Sequence, residues 1–336
     1  MMLWQEFGAK KSIRTFTTDP LMQFPFQLPA DREFDVVGFG TNAVDFLIQV
    51  PEYPVFNSKV ELTEYIQAAG GEVATTMVGL QRLGIKTSYV GRFGTDAAGD
   101  FGMQTLRDEG VDLSHAEQIA GAKTQIAFIV IDERNGERTV IWQRDEKLAF
   151  AENEAPLEVV SRARVLHFTP HDVKACMAMA KAAKETGAIV SVDIDNLFEG
   201  VRDLLSNVDI FIASADFPEK LFGQTNVREA LREIKSLFGC KIVGVTLGES
   251  GSLLLAGDKL IETPGFAVPG GCKDTTGAGD AFRVGLLYGL LKGESIENSA
   301  KMANAVAALK CRAIGARTAL PDREELMRFT GQVNFA

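Results

Sequence analysis

At 336 residues, with 46% hydrophobic against 24% charged side chains, the chain can bury a full core, as one large α/β domain or two smaller ones. Its 35 basic and 45 acidic residues leave a net charge of −10, which argues against a general nucleic-acid or anionic-membrane surface but permits a local basic pocket. No apolar run approaches the roughly 20 residues a bilayer span needs. The N-terminus carries Glu6 and Asp19 without a continuous apolar segment, so no secretory signal is read and a cytoplasmic protein is expected. Cys176, Cys240, Cys272 and Cys311 are scattered, with no CxxC pair and no zinc pattern, and read as buried reduced thiols.

Residues 1 to about 33 have no clean period and end in the proline-punctuated Phe24-Pro25-Phe26-Gln27-Leu28-Pro29, which suggests an extension that drapes over a domain running from 34 to 330. Phe34 to Gly40 is a short apolar strand ending in glycines. Val44 to Val50 and Lys59 to Ile66 alternate with strand period, and Thr75 to Leu83 reads as a helix stopped by Gly84. Lys86 to Val90 follows as a strand. Gln125 to Asp132 and Glu137 to Arg144 flank Asn135-Gly136, a strong hairpin signal. Beyond residue 155 strands at Val165 to Phe168, Ala188 to Asp193, Val208 to Ala213 and Lys241 to Thr246 alternate with helices such as Asp172 to Thr186 and Val227 to Phe238. Two helices near Ala278 to Lys292 and Ile296 to Cys311 close the chain. The later part implies a mainly parallel sheet covered on both faces. The antiparallel strands near 44–66 and 124–144 do not fit that layer, and a small β lid over an α/β body accommodates both.

The chemistry concentrates in Asp274-Thr275-Thr276-Gly277-Ala278-Gly279-Asp280-Ala281-Phe282. Small residues at 277 to 279 let the backbone approach a ligand, and a helix starts at once, so its unpaired N–H groups and positive end make an anion site. Asp280 falls in the first turn, where that field should keep a carboxylate ionised. A phosphoryl group in transfer needs preorganised donors for its charge, and the attacking hydroxyl needs a proton acceptor. Gly277 to Asp280 can supply the first and the Asp280 carboxylate the second. A capped helix after a tight turn, with Asp280 merely stabilising its end, is the structural alternative.

This run resembles the C-terminal signature of the PfkB, or ribokinase-like, carbohydrate kinases. Ala69-Gly70-Gly71 through Leu83-Gly84, Val90 to Gly99, Val245 to Gly251 and Ala303-Asn304-Ala305 are similar to further family motifs, in the family's order. The resemblance implies a Rossmann-like three-layer αβα body with a β lid, ATP as donor, and Mg²⁺ bound mainly through phosphates and waters. It also implies that Asn42, Asp45, Gly70, Gly71 and Thr75 line the sugar pocket with Asp280, and that Thr246, Gly248, Gly251, Gly277, Gly279 and Asn304 lie along the nucleotide. A K⁺ ion beside Asp274 and Thr276 is a further implication. Exposed lid strands often pair between subunits, so a homodimer through the lid is expected from the strand pattern itself.

Departures from the pattern bear on the substrate. Thr75 stands where many relatives have an Asn. Ser214 to Phe217 replaces an Asn-x-x-Glu that organises Mg²⁺, leaving Asp216, or Asp193 with Asp195, as substitutes. This loop and Val306 to Cys311 look more like the ketohexokinase and sulfofructose-kinase branches. Arg283 either pairs with an acid or reads an anionic substrate; Arg144 is a surface charge or a substrate contact; His167 and His171 read as satisfied, partly buried imidazoles. Among competing activities, Gly38-Phe39-Gly40-Thr41-Asn42-Ala43 matches a dinucleotide GxGxxA, but a strand rather than a helix follows. A P-loop motif is absent. A nucleoside kinase, or a non-catalytic sensor on the same fold, remain as alternatives.

Overall fold

The computed structural model describes residues 21–331. The strands are β1 Phe34–Phe39, β2 Ala43–Val50, β3 Glu64–Gly70, β4 Thr87–Val90, β5 Arg92–Gly94, β6 Glu117–Ile119, β7 Ile126–Asp132, β8 Arg138–Gln143, β9 Ala163–Phe168, β10 Ile189–Ile194, β11 Ile210–Ser214, β12 Ile242–Thr246, β13 Ser252–Ala256 and β14 Lys259–Thr263. The helices are α1 Glu72–Arg82, α2 Ala97–Asp108, α3 Val173–Thr186, α4 Val201–Leu205, α5 Phe217–Phe222, α6 Val227–Phe238, α7 Ala278–Leu291, α8 Ile296–Lys310 and α9 Arg323–Thr330.

An eight-stranded sheet, in the order β14-β13-β12-β11-β10-β9-β1-β4, forms the middle layer. Its strands from β12 to β4 are parallel, with β13 and β14 added antiparallel at one edge. Every residue of β10 is buried, because helices cover both faces. Successive side chains go to opposite layers: Val36 and Val165 pack with α1, α7 and α8, while Val37 and Leu166 pack with α3 and α4. The three-layer body is therefore as expected. Residues 22–28 also belong to it, since Met22, Phe24, Phe26 and Leu28 pack on the core and the Ile296 N–H donates to the Met22 carbonyl at 2.8 Å. The remainder of the expected extension, residues 1–20, lies outside the described residues.

The second sheet is the lid, β3-β2-β7-β8. Register puts Asp45, Ala127 and Trp142 side by side on its inner face, and Phe46, Phe128 and Ile141 on its outer face. The strand expected over Lys59 to Ile66 instead begins at Glu64. Pro51 follows directly on β2, whose Gln49 pairs with Glu64, so residues 59–62 have no strand to pair with. The first helix starts at Glu72, three residues earlier than Thr75, because Gly71 makes the turn at φ 87°. All four cysteines are free thiols; Cys272 is only partly buried.

Two glycines bring α7 and α8 into close contact. A Cβ on Gly285 would lie 2.5 Å from Ala303 Cα, and one on Gly289 would lie 2.2 Å from Ser299 Oγ. Gly285→Val should therefore push apart the helices that carry Asp280 and Asn304. A loss of about 2–3 kcal/mol is expected, read as a clear fall in Tm by thermal denaturation.

Candidate active site

The large cleft, about 1370 Å³, lies at the carboxyl ends of the body strands and beneath the lid. Strand order reverses there, between β9 and β1, which is where open α/β sheets bind ligands. Thr41 follows β1, His171 follows β9, Asp193 and Asp195 come from the end of β10, and Ser214 and Thr246 end β11 and β12. The lid contributes Asp45, Gln125 and Trp142, and the start of α7 forms the facing wall.

Gly277 turns the chain into α7 at φ 77°. The Ala278 N–H is spent on the Thr275 carbonyl at 3.1 Å, while the N–H groups of Gly279 and Asp280 make no such bond and face the cleft. Asp280 is buried, and its carboxyl is pushed well above the usual carboxylate range, first by burial and then by the neighbouring Asp193. The helix-end field was expected to keep it ionised; desolvation and like charge outweigh it here. Asp193 is itself raised to about 6 by burial, with Arg283 opposing. Arg283 pairs with Asp193 at 2.5 Å and donates to the Ile212 carbonyl at 2.9 Å, so it is held by the protein rather than free for an anion.

On the lid side, Asp45 is 4% exposed and its carboxyl is pushed up to about 7 by burial, with Arg317 pulling it back. It lies over Gly70, where a Cβ would meet its carboxylate at 1.9 Å. Gly71 lines the cleft beside it. Asn42 is turned inward, donating to the Tyr89 hydroxyl at 2.7 Å and the Arg92 carbonyl at 3.1 Å. Thr75 is fully buried and does not reach the cleft either; the Arg317 guanidinium lies over it, its Nε 3.4 Å from the Thr75 Oγ1, and another of its nitrogens donates to the Gly70 carbonyl. Arg317 was not singled out from sequence, nor were Glu72 and Gln125. Glu72 lines the cleft, and burial followed by repulsion from Asp195 raises its carboxyl. Gln125 is buried with an unpartnered Oε1. His171 sits between Trp142 and Phe198 at the cleft wall. His167 is fully buried, its Nδ1 3.2 Å from the Ser191 hydroxyl, and burial lowers its pKa to about 3. Arg144 is neither a surface charge nor a cleft residue: it forms a two-pronged pair with Asp172 at 2.9 and 2.7 Å, because the β8 end lies against the turn after β9.

On the other side, Thr246, Gly248, Gly251 and Asn304 line the cleft. Gly251 (φ 98°) allows close passage, since a Cβ would meet the Thr263 carbonyl at 2.1 Å. Asn304 ties the wall together, donating to the Ser252 hydroxyl and to the Thr263 and Pro264 carbonyls. Asp216 turns away to Ser214 and Lys220, so that of the three acids expected to replace the Asn-x-x-Glu only Asp193 and Asp195 line the cleft. Thr276 lines the cleft with an unpartnered hydroxyl, whereas Asp274 is fully buried beneath it. The lid hairpin is tied to this loop: the Gly136 carbonyl accepts the Thr275 N–H at 3.1 Å and its hydroxyl at 3.0 Å, and Arg138 donates to that hydroxyl at 3.0 Å. Among the described residues no helix is long and apolar enough to cross a membrane.

A family model described as pfkB family carbohydrate kinase matches residues 34–323. Similar sequences include a nucleoside kinase of Methanothermobacter thermautotrophicus, 27% identical over 89% of this chain and 96% of that protein. Fructokinase-1 of Zea mays is 30% identical over 90% of this chain and 98% of its own. The structure of Arabidopsis thaliana ribokinase complexed with ribose and ATP has a TM-score of 0.75 at 25% identity, over 88% of this chain and 98% of that one. Adenosine kinase from Sinorhizobium meliloti, at 21% identity, shares the fold with a TM-score of 0.76 over 88% of this chain and 99% of that one. The chain belongs to the pfkB family of carbohydrate kinases, and it is an ATP-dependent enzyme that phosphorylates a sugar.

Proposed function

We propose that this kinase transfers the γ-phosphoryl group of ATP to a hydroxyl of a sugar or sugar derivative, with Asp280 as the general base and the Gly277–Asp280 backbone as the anion hole. The observation that carries the reading is the shared position of the buried Asp280 carboxyl and the free N–H groups of Gly279 and Asp280 at one end of the cleft. A carboxyl raised above its usual range is a better proton acceptor than an ordinary one, and the N–H groups are in place before charge develops on the phosphoryl oxygens. Asp45 and Gly71 bind sugar hydroxyls from the lid, and the unpartnered Gln125 Oε1 accepts from a further hydroxyl. ATP lies along Thr246, Gly248, Gly251 and Asn304. Mg²⁺ is a hard cation that takes oxygen donors, and the Asp193 and Asp195 carboxylates, which line the cleft, would help to hold it. When bound it supplies charge neutralisation on the phosphates. A non-catalytic sensor would not need both a free anion hole and a base beside it.

A nucleoside is the second acceptor class. A nucleoside kinase is among the relatives, and Trp142 stands half exposed on the inner lid face, where a base can stack. ADP release from Mg·ATP should be measured against ketoses, aldoses, sugar phosphates, sugar acids, sulfofructose and nucleosides. A sugar-dependent rate is expected; a preference for nucleosides selects the second class, and silence across the panel with ATP still bound would overturn both acceptor classes. Asp280→Asn should lower kcat about 10³-fold with ATP binding retained, and near-normal turnover would remove Asp280 from the base role.

The pH dependence follows from Asp193. Burial first and then the Asp193 charge raise Asp280, so kcat/KM should rise with pH along a limb set above the usual carboxylate range. Asp193→Asn removes the like charge and frees Arg283, which lowers the Asp280 pKa. The limb should then move to lower pH; an unmoved limb would separate it from this pair.

The outer lid face carries Phe46 between Tyr65 at 6.4 Å and Phe128 at 5.1 Å, with Ile141 exposed beside them. We infer a homodimer joined through this face. Light scattering should give a dimer that Phe128→Asp converts to monomer; a monomeric parent protein would refute it.

A further inference from the structure

The Asp-Thr-Thr loop carries the expectation of a K⁺ ion beside Asp274 and Thr276, but the residues around Asp274 do not fit one. Asp274 and Lys310 are both 0% exposed. The Lys310 ammonium lies 2.7 Å from the Asp274 carbonyl oxygen and 3.5 Å from its Oδ2. Both carboxylate oxygens are also committed to the backbone: Oδ1 accepts the Thr276 N–H and Oδ2 accepts the Gly315 N–H, each at 2.8 Å. One buried negative charge thus already has one buried positive partner. A metal ion added here would bring an uncompensated charge into a buried site, and although the Thr276 hydroxyl is unpartnered, both carboxylate oxygens and the main-chain carbonyl of Asp274 are already engaged.

Lys310 is the last residue of α8, so its ammonium also stands at that helix's negative end. From there it acts on the cleft through a short chain of contacts. It holds Asp274, Asp274 holds the Thr276 N–H, and the next residue is Gly277, where α7 and its free N–H groups begin. The same contacts join this loop to Gly315, two residues before Arg317.

We propose that Lys310 is the resident cation of the anion loop, a positioning residue whose ammonium stands in place of a monovalent metal ion, so that turnover does not require K⁺. This rests on the reading of Gly277–Asp280 as the anion hole.

The test compares the full-length enzyme and Lys310→Ala in tetramethylammonium buffer and after addition of KCl, NH4Cl or methylammonium chloride at constant ionic strength. The parent enzyme should turn over equally in all of them; several-fold stimulation by K⁺ would overturn the proposal. Lys310→Ala leaves a buried carboxylate facing a cavity the size of the lost side chain. Its kcat should fall about tenfold or more in tetramethylammonium and recover with the small cations. Recovery in none of them would reduce Lys310 to packing.

Tm gives a readout that needs no substrate. Small cations should raise that of Lys310→Ala and leave the parent protein unchanged, whether or not a phosphoryl acceptor is found. Equal shifts for both proteins would overturn the proposal even if the kinase reading stands. Lys310→Met fills the space without the charge, and should show a lowered kcat that no cation restores, with ATP binding kept. Parent-like turnover by this variant would remove the charge from the argument.

Discussion

The start of α7 has to satisfy two demands that oppose each other. Its backbone N–H groups at Gly279 and Asp280 stay without a backbone partner, and the Asp280 carboxyl is buried in the same turn. Unpaired donors and desolvated acids both cost free energy in the absence of ligand. The surrounding structure holds them in place: α8 packs against α7 through Gly285 and Gly289, Asp274 pins the loop before the helix, and the lid hairpin rests on Thr275. Without these supports the turn could relax by pairing its own donors.

Charge balance is the second consequence of burying so many acids around one cleft. Asp45, Glu72, Asp193 and Asp280 all have carboxyls raised above the usual range, in each case with burial as the largest cause. Three buried cations offset them unevenly: Arg283 is committed to Asp193, Arg317 acts on Asp45, and Lys310 is spent on Asp274. Among the described residues neither Glu72 nor Asp280 pairs with an arginine or lysine, and the only basic side chain beside Glu72 is the His171 ring, at 3.9 Å. The cleft is therefore rich in acids whose carboxyls hold a proton more tightly than usual.

Much of the fold is legible in the chain because it rests on local pattern. Buried strands such as Ile189–Ile194 read as unbroken apolar runs, and the lid strands betray themselves by alternation and by the Asn135-Gly136 turn. The bounds of β3 were not legible, since they follow from where its partner β2 ends and not from its own residues. In the site, the glycines and Asp280 stand out because a tight turn entering a helix needs those residue types in that order. Arg317 and Lys310 escaped notice: one basic residue at the end of a helix, or in a loop after it, looks like any solvated charge. Asn42 shows the reverse failure, a polar residue at a pocket motif whose amide is consumed by Tyr89 and Arg92.

The sequence by itself determined the layered α/β body, the separate lid, the glycine turn into α7 and the acid within it, because periodicity, glycine placement and helix-end chemistry act over a few residues. Only the tertiary structure decided which charges meet. Arg144 found Asp172, Arg283 found Asp193 and Lys310 found Asp274 across 28, 90 and 36 positions of chain. Burial then raised the Asp193 carboxyl and, with Asp193 beside it, that of Asp280. Desolvation depends on everything packed around a group, and no local pattern along the chain encodes it.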